Sequence, residues 1–273
     1  MLKQILKLSC AIGAIAGPAA AGDYSAQKGI KAIAFLQGWR KPSGTHMAAI
    51  RITLEDGWKT YWRAPGGNGI PPMFKWKGSK NIKGVEYHWP TPKILSQDGE
   101  QTIGYENELL LPIEFTPSQN GSPIKVKARV EFGICSDVCI PVSTRLDATL
   151  AAEKIAYHDE IKTALSKRPK SAKSGGVRSI SCKIDPTTDG LNITANVQFK
   201  GQAPKTQKAV IEFPDPNIWI NTASLTQNGR TTTAQAELIS FSNDPFIMDR
   251  SKFRVTLISA SKAIEIVGCP AAG

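Results

Sequence analysis

Cys135 and Cys139 stand with three residues between them in the stretch EFGICSDVCIPVS, residues 131–143. Two thiols so spaced can do three kinds of chemistry. They can lock a turn as a disulfide, grip a soft metal ion as thiolates, or exchange electrons with other thiols. As a lock the pair closes only a small loop, which constrains the unfolded chain little compared with a long-range bond. As a metal grip it offers two thiolates and no evident third ligand, since His46, His88 and His158 are all distant in sequence. That pattern argues against zinc and leaves Cu(I), which tolerates two thiolates. As a redox pair it needs only access and a bond that opens. No Cys-x-x-Cys opens a helix here, so no helix dipole depresses a thiol pKa. Asp137 between the cysteines disfavours a thiolate further. The pair is therefore better suited to being attacked by another protein's thiolate than to initiating attack. Spacing alone leaves lock, metal grip and redox pair open.

The elements that position the pair read as strands. In Met47–Glu55, Ile50, Ile52 and Leu54 alternate with Arg51, Thr53 and Glu55. In Ile124–Ile134 every even position is apolar, and Lys125, Lys127, Arg129 and Glu131 fall between. Period-two alternation of this length predicts half-buried strands of antiparallel sheets. The even parity resumes after the cysteines at Ile140, Val142, Leu146 and Ala148. Ser136-Asp137-Val138 then reads as a three-residue hairpin loop, with Cys135 and Cys139 as cross-strand neighbours on the odd, polar face. Gly/Pro-rich turns such as Ala64–Pro72 separate the strands, and the fold class expected is all-β, built of β-sandwiches.

The 273 residues, 41% hydrophobic, suffice for one large core or two modest ones. Residues 1–21 read as a signal peptide: Lys3 and Lys7, an apolar run from Leu8 to Ala16, then Pro18 and Ala19-Ala20-Ala21. Cys10 leaves with this leader. An exported chain then keeps Cys135, Cys139, Cys182 and Cys269, an even set that favours disulfides. The net charge of +11 falls to +9 without Lys3 and Lys7. From Ile161 to Lys183 inclusive there are seven Lys or Arg and no acid. We read this run as a solvated linker rather than a contact for an anionic partner, and no nucleic-acid motif accompanies it. Residues 22–150 form the first expected sandwich, and 151–176 a helix (Ala151–Leu165) followed by a flexible basic spacer. Residues 177–273 form the second sandwich, with strands at Leu191–Phe199, Ala209–Phe213 and Arg254–Ile258. Cys182 shares strand parity with Ile180 and Ile184 and should point inward. A structural disulfide from Cys182 to Cys269 would close a loop worth about 4–5 kcal/mol of chain entropy.

Residues 30–150 resemble the N-terminal domain of the thiol:disulfide interchange protein DsbD family, in its ScsB-like branch. The resemblance is carried in order by GWKTYWRAPGGNGIPPMFKW (57–76), HWPTPKIL (88–95), IGYENELLLPI (103–113) and ICSDVCIP (134–141). It implies an immunoglobulin-like sandwich in the periplasm, with Cys135 and Cys139 as a redox pair that needs no cofactor or metal. It makes Cys139 the partner in the mixed disulfide. It also implies a cover loop, matched here by Asp98–Tyr105, with Ile103 or Tyr105 over the sulfurs. The family's cysteines are spaced more widely in its best-known branch. DsbD itself continues into a membrane conduit and a thioredoxin-like domain, neither of which this sequence shows. Electrons would then arrive from a separate membrane thiol reductase of the DsbD or CcdA type and pass to periplasmic thioredoxin-like proteins. The chain itself is expected to be a monomer.

Two rival functions remain at this stage. Cu(I) handling, as in copper tolerance, would use the same cysteine pair. Carbohydrate binding would use exposed rings among Trp39, Trp58, Trp62, Trp76, Trp89, Tyr61 and Tyr105, against the simpler reading that these rings fill the core.

Overall fold

The computed structural model describes residues 27–271 except Asn68, Asp98, Asp189 and 242–247. The expected leader, with Cys10, lies outside the described residues, as does Asp98 at the start of the expected cover loop. The first sandwich contains β1 (Ile30–Arg40), β2 (His46–Leu54), β3 (Lys59–Tyr61), β4 (Met73–Lys75) and β5 (Gly84–Tyr87). It continues with β6 (Lys93–Gln97), β7 (Glu100–Glu106), β8 (Glu108–Thr116), β9 (Ile124–Cys135) and β10 (Cys139–Leu150). One sheet runs β1-β2-β8-β5, and the other runs β10-β9-β3-β7-β6 with β4 also paired to β9. Every even residue of β9 is buried, while Lys125, Lys127 and Arg129 are exposed. The alternation thus selects one inner face per strand, as a two-layer sandwich requires. Trp58, Trp62, Trp89, Tyr61 and Tyr105 are all buried, and Trp39 and Trp76 are half-buried against apolar clusters, so these rings mainly pack inward.

The helix is shorter than its sequence predicts. Only α1 (His158–Ser166) forms, because Tyr157 takes a left-handed φ of 55° and Ala156 donates its N–H to the Gly38 carbonyl. Ile155, inside the expected helix, is exposed. Ile161 seats α1 against Leu36, Met47 and Ala49 on the outer face of β1 and β2. That cover explains why β2 is buried on both faces from His46 to Ile50.

The basic segment after α1 is ordered, contrary to the flexible spacer that its composition suggests. The Lys167 carbonyl accepts from Thr91 N–H at 2.8 Å. Arg168 donates to His88 Nδ1 at 3.0 Å, leaving Nε2 of that ring to face Glu114 at 3.2 Å. Then β11 (Lys170–Ser171) pairs in parallel with β19 (Ala263–Val267). Composition registers charge, but it does not register backbone groups that find partners in both sandwiches.

The second sandwich adds β12 (Val177–Pro186), β13 (Leu191–Phe199), β14 (Lys208–Glu212), β15 (Ile218–Ile220), β16 (Ser224–Asn228), β17 (Thr231–Ser240) and β18 (Arg254–Ile258). Its sheets run β11-β19-β18-β14 and β12-β13-β17-β15, with β16 also on β17. The architecture is therefore all-β, of the immunoglobulin-like sandwich kind, with two sandwiches in tandem. Ile258, Ala263 and Val210 of the second sandwich pack against the first sandwich's core. The two units share apolar packing as well as chain. No helix among the described residues is long and apolar enough to cross a membrane.

Candidate functional site: a disulfide at a hairpin tip

The β9–β10 hairpin holds an unbroken register in which Cys139 faces Cys135, Ile140 faces Ile134 and Pro141 faces Gly133. Ser136–Val138 form the turn, closed by Ser136 N–H donating to the Val138 carbonyl at 3.3 Å. Direct opposition brings the two cysteines together, and they are joined by a disulfide with Cα atoms 4.1 Å apart. The two cysteines are unequal in exposure. Cys135 is 4% exposed, whereas Cys139 lies in the exposed class beside Val138, which is 67% exposed. A hollow of about 450 Å³ lined by Trp58, Lys59, Ser96, Glu106, Ser136 and Asp137 opens alongside the turn.

The odd face of β9 was expected to be polar and open. Near the tip it is covered, and Gly133 explains how. A Cβ on Gly133 would lie 2.7 Å from Ile70 Cβ and 3.0 Å from Tyr61 Cε2, so the missing side chain is what admits both residues. The Tyr61 ring crosses this bare backbone and places its hydroxyl 3.3 Å from Cys139 Sγ. Tyr61 is buried, and burial holds its phenol above the usual tyrosine range, so the hydroxyl keeps its proton. It is therefore a donor toward sulfur in the oxidised protein, and toward a thiolate once the bond is reduced.

The expected cover residues lie elsewhere. β3 pairs β9 through Thr60 opposite Ile134 and pairs β7 through Thr60 opposite Tyr105, which sets Tyr105 on the core face. Ile103, two residues earlier on β7, shares that parity. Both are buried in the sandwich core, and Tyr105 Oη donates to the Pro90 carbonyl at 2.8 Å. Strand parity thus turns both away from the sulfurs, and it is Tyr61 that reaches Cys139 Sγ. The readable signal was Gly133, a bare position on the cysteine face, beside a strand that ends in Tyr61.

Replacing that hydroxyl should be felt at Cys139. A hydrogen bond to an ionised group is worth about 1.5–3 kcal/mol, or roughly one to two pKa units. In a Cys135→Ser background, Tyr61→Phe is expected to raise the Cys139 thiol pKa by about that amount. The pH dependence of iodoacetamide alkylation measures it, and an unmoved pKa would show that the contact does not act on the thiolate.

Cys182 and Cys269 lie far from this pair in sequence and are bonded to each other inside the second sandwich, both buried. Among the described residues, Glu86, His88 and Glu114 form a group of three potential metal ligands, and it contains no cysteine. Its atoms are already engaged, because Lys41 and Thr45 hold Glu114 while Arg168 occupies His88 Nδ1. Two cations facing this cluster disfavour a third.

Residues 31–151 match the family described as thiol:disulfide interchange protein DsbD, N-terminal. No curated protein matches the chain by sequence. Among solved structures, the N-terminal periplasmic domain of ScsB from Proteus mirabilis superposes with a TM-score of 0.61 at 22% identity. That likeness covers 86% of this chain and 91% of that chain, so the shared fold extends over both sandwiches. With its motifs in order and its cysteines at one hairpin tip, the first sandwich of this chain belongs to the DsbD N-terminal family.

Proposed function

We propose that the chain is a periplasmic thiol–disulfide exchange protein working through Cys135 and Cys139. In this role it carries reducing equivalents from a separate membrane thiol reductase of the DsbD or CcdA type to periplasmic thioredoxin-like proteins. The observation that carries the reading is the asymmetry of the bond: an exposed Cys139 tied to a buried Cys135 at a hairpin tip. A thiolate of the reduced donor attacks Cys139 Sγ, and the sulfur–sulfur bond breaks with Cys135 leaving as a thiolate that takes up a proton. The donor's second thiol then attacks its own sulfur in the mixed disulfide and releases Cys139. Two electrons and two protons have moved, leaving the donor oxidised and the pair reduced. Cys139 next attacks the acceptor's disulfide, and Cys135 resolves the product by re-forming the original bond. Tyr61 supports both half-reactions by donating to the Cys139 thiolate.

Exposed disulfides have less negative reduction potentials than buried structural ones. Equilibration with glutathione or dithiothreitol buffers should place the Cys135–Cys139 couple well above about −300 mV, within reach of periplasmic exchange partners. A couple below that value, resisting dithiols in the folded protein, would return the pair to the role of a structural staple.

A further inference from the structure

Arg63 stands two residues beyond Tyr61 and reaches across to the second sandwich. Its Nε and Nη2 donate to the two carboxylate oxygens of Glu212 at 2.8 Å each, and Nη2 also donates to Glu265 at 2.6 Å. Glu212 ends β14 and Glu265 sits within β19, so two strands of one sheet of the second unit, with β18 between them, converge on one guanidinium. The Arg63 side chain is only 15% exposed and stacks over the Trp62 ring at 4.3 Å. A two-pronged bond plus a second carboxylate fixes both the position and the plane of the guanidinium, which a lysine ammonium could not match.

What Arg63 fixes is the start of the segment that folds back over Tyr61. A Cβ on Gly69 would lie 2.2 Å from Pro65 Cβ and 3.0 Å from Tyr61 Cδ1, so Pro65 and Gly69 close tightly against the ring. Ile70 follows and lies on Gly133 beside the same ring. The path therefore runs from Glu212 and Glu265 to Arg63, along the chain to Pro65, and through Gly69 to Tyr61 and the Cys139 sulfur.

We propose that the second sandwich is a positioning brace for the redox site. Through Glu212 and Glu265 it fixes Arg63, and with it the segment that presses the Tyr61 hydroxyl onto Cys139. The inference rests on Cys139 being the reactive sulfur, and it gives the second sandwich influence over that sulfur without contact.

The test is the Cys139 thiol pKa in Cys135→Ser protein, read from the pH profile of alkylation. Glu212→Gln with Glu265→Gln should raise it by about one unit, toward the Tyr61→Phe value. Charge alone predicts the opposite sign, because deleting two carboxylates and freeing a guanidinium would favour the thiolate. Arg63→Lys, which keeps the charge and loses the fork, should give a smaller rise. Adding the paired glutamine changes to Tyr61→Phe should produce no further rise, since both act on one contact. The brace is overturned by an unchanged or lowered pKa, or by shifts that simply add to that of Tyr61→Phe. Where the double glutamine variant does not fold, Arg63→Lys supplies the same two readings. The pKa is defined whether or not the chain relays electrons. A failed brace therefore shows here, while a failed relay shows in the reduction potential.

Discussion

Cys139→Ser abolishes exchange with protein dithiols, whereas Cys135→Ser leaves one reactive thiol that accumulates mixed disulfides. This is the larger of the two strongest expectations, and it follows from access. A visiting thiolate must line up with a sulfur–sulfur bond, and Cys139 is the exposed cysteine of the two. With Cys139 gone, Cys135 remains at 4% exposure behind the hairpin, reachable only when the tip opens. Its modification by a disulfide reagent such as dithionitrobenzoate should be slower than that of Cys139 in the reciprocal variant by roughly tenfold or more, because reactivity follows exposure and thiolate character. With Cys135 gone, Cys139 still attacks but has no neighbour to expel the partner, so the covalent complex persists on a non-reducing gel. Equal reactivity of the two single thiols would remove the directionality on which the relay depends. Complexes trapped through Cys135 instead would invert the order of attack.

Much of this hairpin was legible before any coordinates. Parity ran unbroken from Ile124 to Ile134 and resumed at Ile140, which left Ser136–Val138 as the turn and opposed the cysteines. The same parity shows that Ile103 and Tyr105 face the core, yet pairing between β7, β3 and β9 had to be known first. Tyr61 escaped for a related reason. Lys59–Tyr61 is too short a strand for alternation to register, and its role depends on a glycine more than 70 residues downstream, whose carbonyl accepts from Thr60 Oγ1. Local pattern reports which face a residue takes, and long-range pairing decides what that face meets. The basic segment after α1 illustrates the same limit, since its lysines and serines describe a spacer while its backbone is paired to both sandwiches. Arg63 likewise gave no sequence signal, because its two carboxylates come from strands 149 and 202 residues away.

The second strong expectation concerns the other disulfide, which should behave in the opposite way. Cys182 and Cys269 are 87 residues apart in sequence and both buried, with Cα atoms 5.4 Å apart. Around them the chain end is tied down: Cys182 N–H donates to the Pro270 carbonyl, Cys269 N–H to the Arg250 carbonyl, and the Arg250 side chain to the Cys182 carbonyl. A loop of that length removes far more freedom from the unfolded chain than the small ring at the hairpin tip. Chain entropy puts the difference between oxidised and open forms at about 4–5 kcal/mol. Cys182→Ala with Cys269→Ala should therefore lower the melting temperature by roughly 10–20 °C, while Cys135→Ser with Cys139→Ser should lower it by about half as much or less. Burial also predicts an order of reduction. Mild dithiothreitol should open the hairpin pair in the folded protein and leave Cys182–Cys269 intact until unfolding, as differential alkylation and mass spectrometry would record. If both bonds opened together under native conditions, sulfur burial would not be what separates a reactive pair from a structural one in this chain. The brace between the sandwiches would then have no rigid second unit to push against.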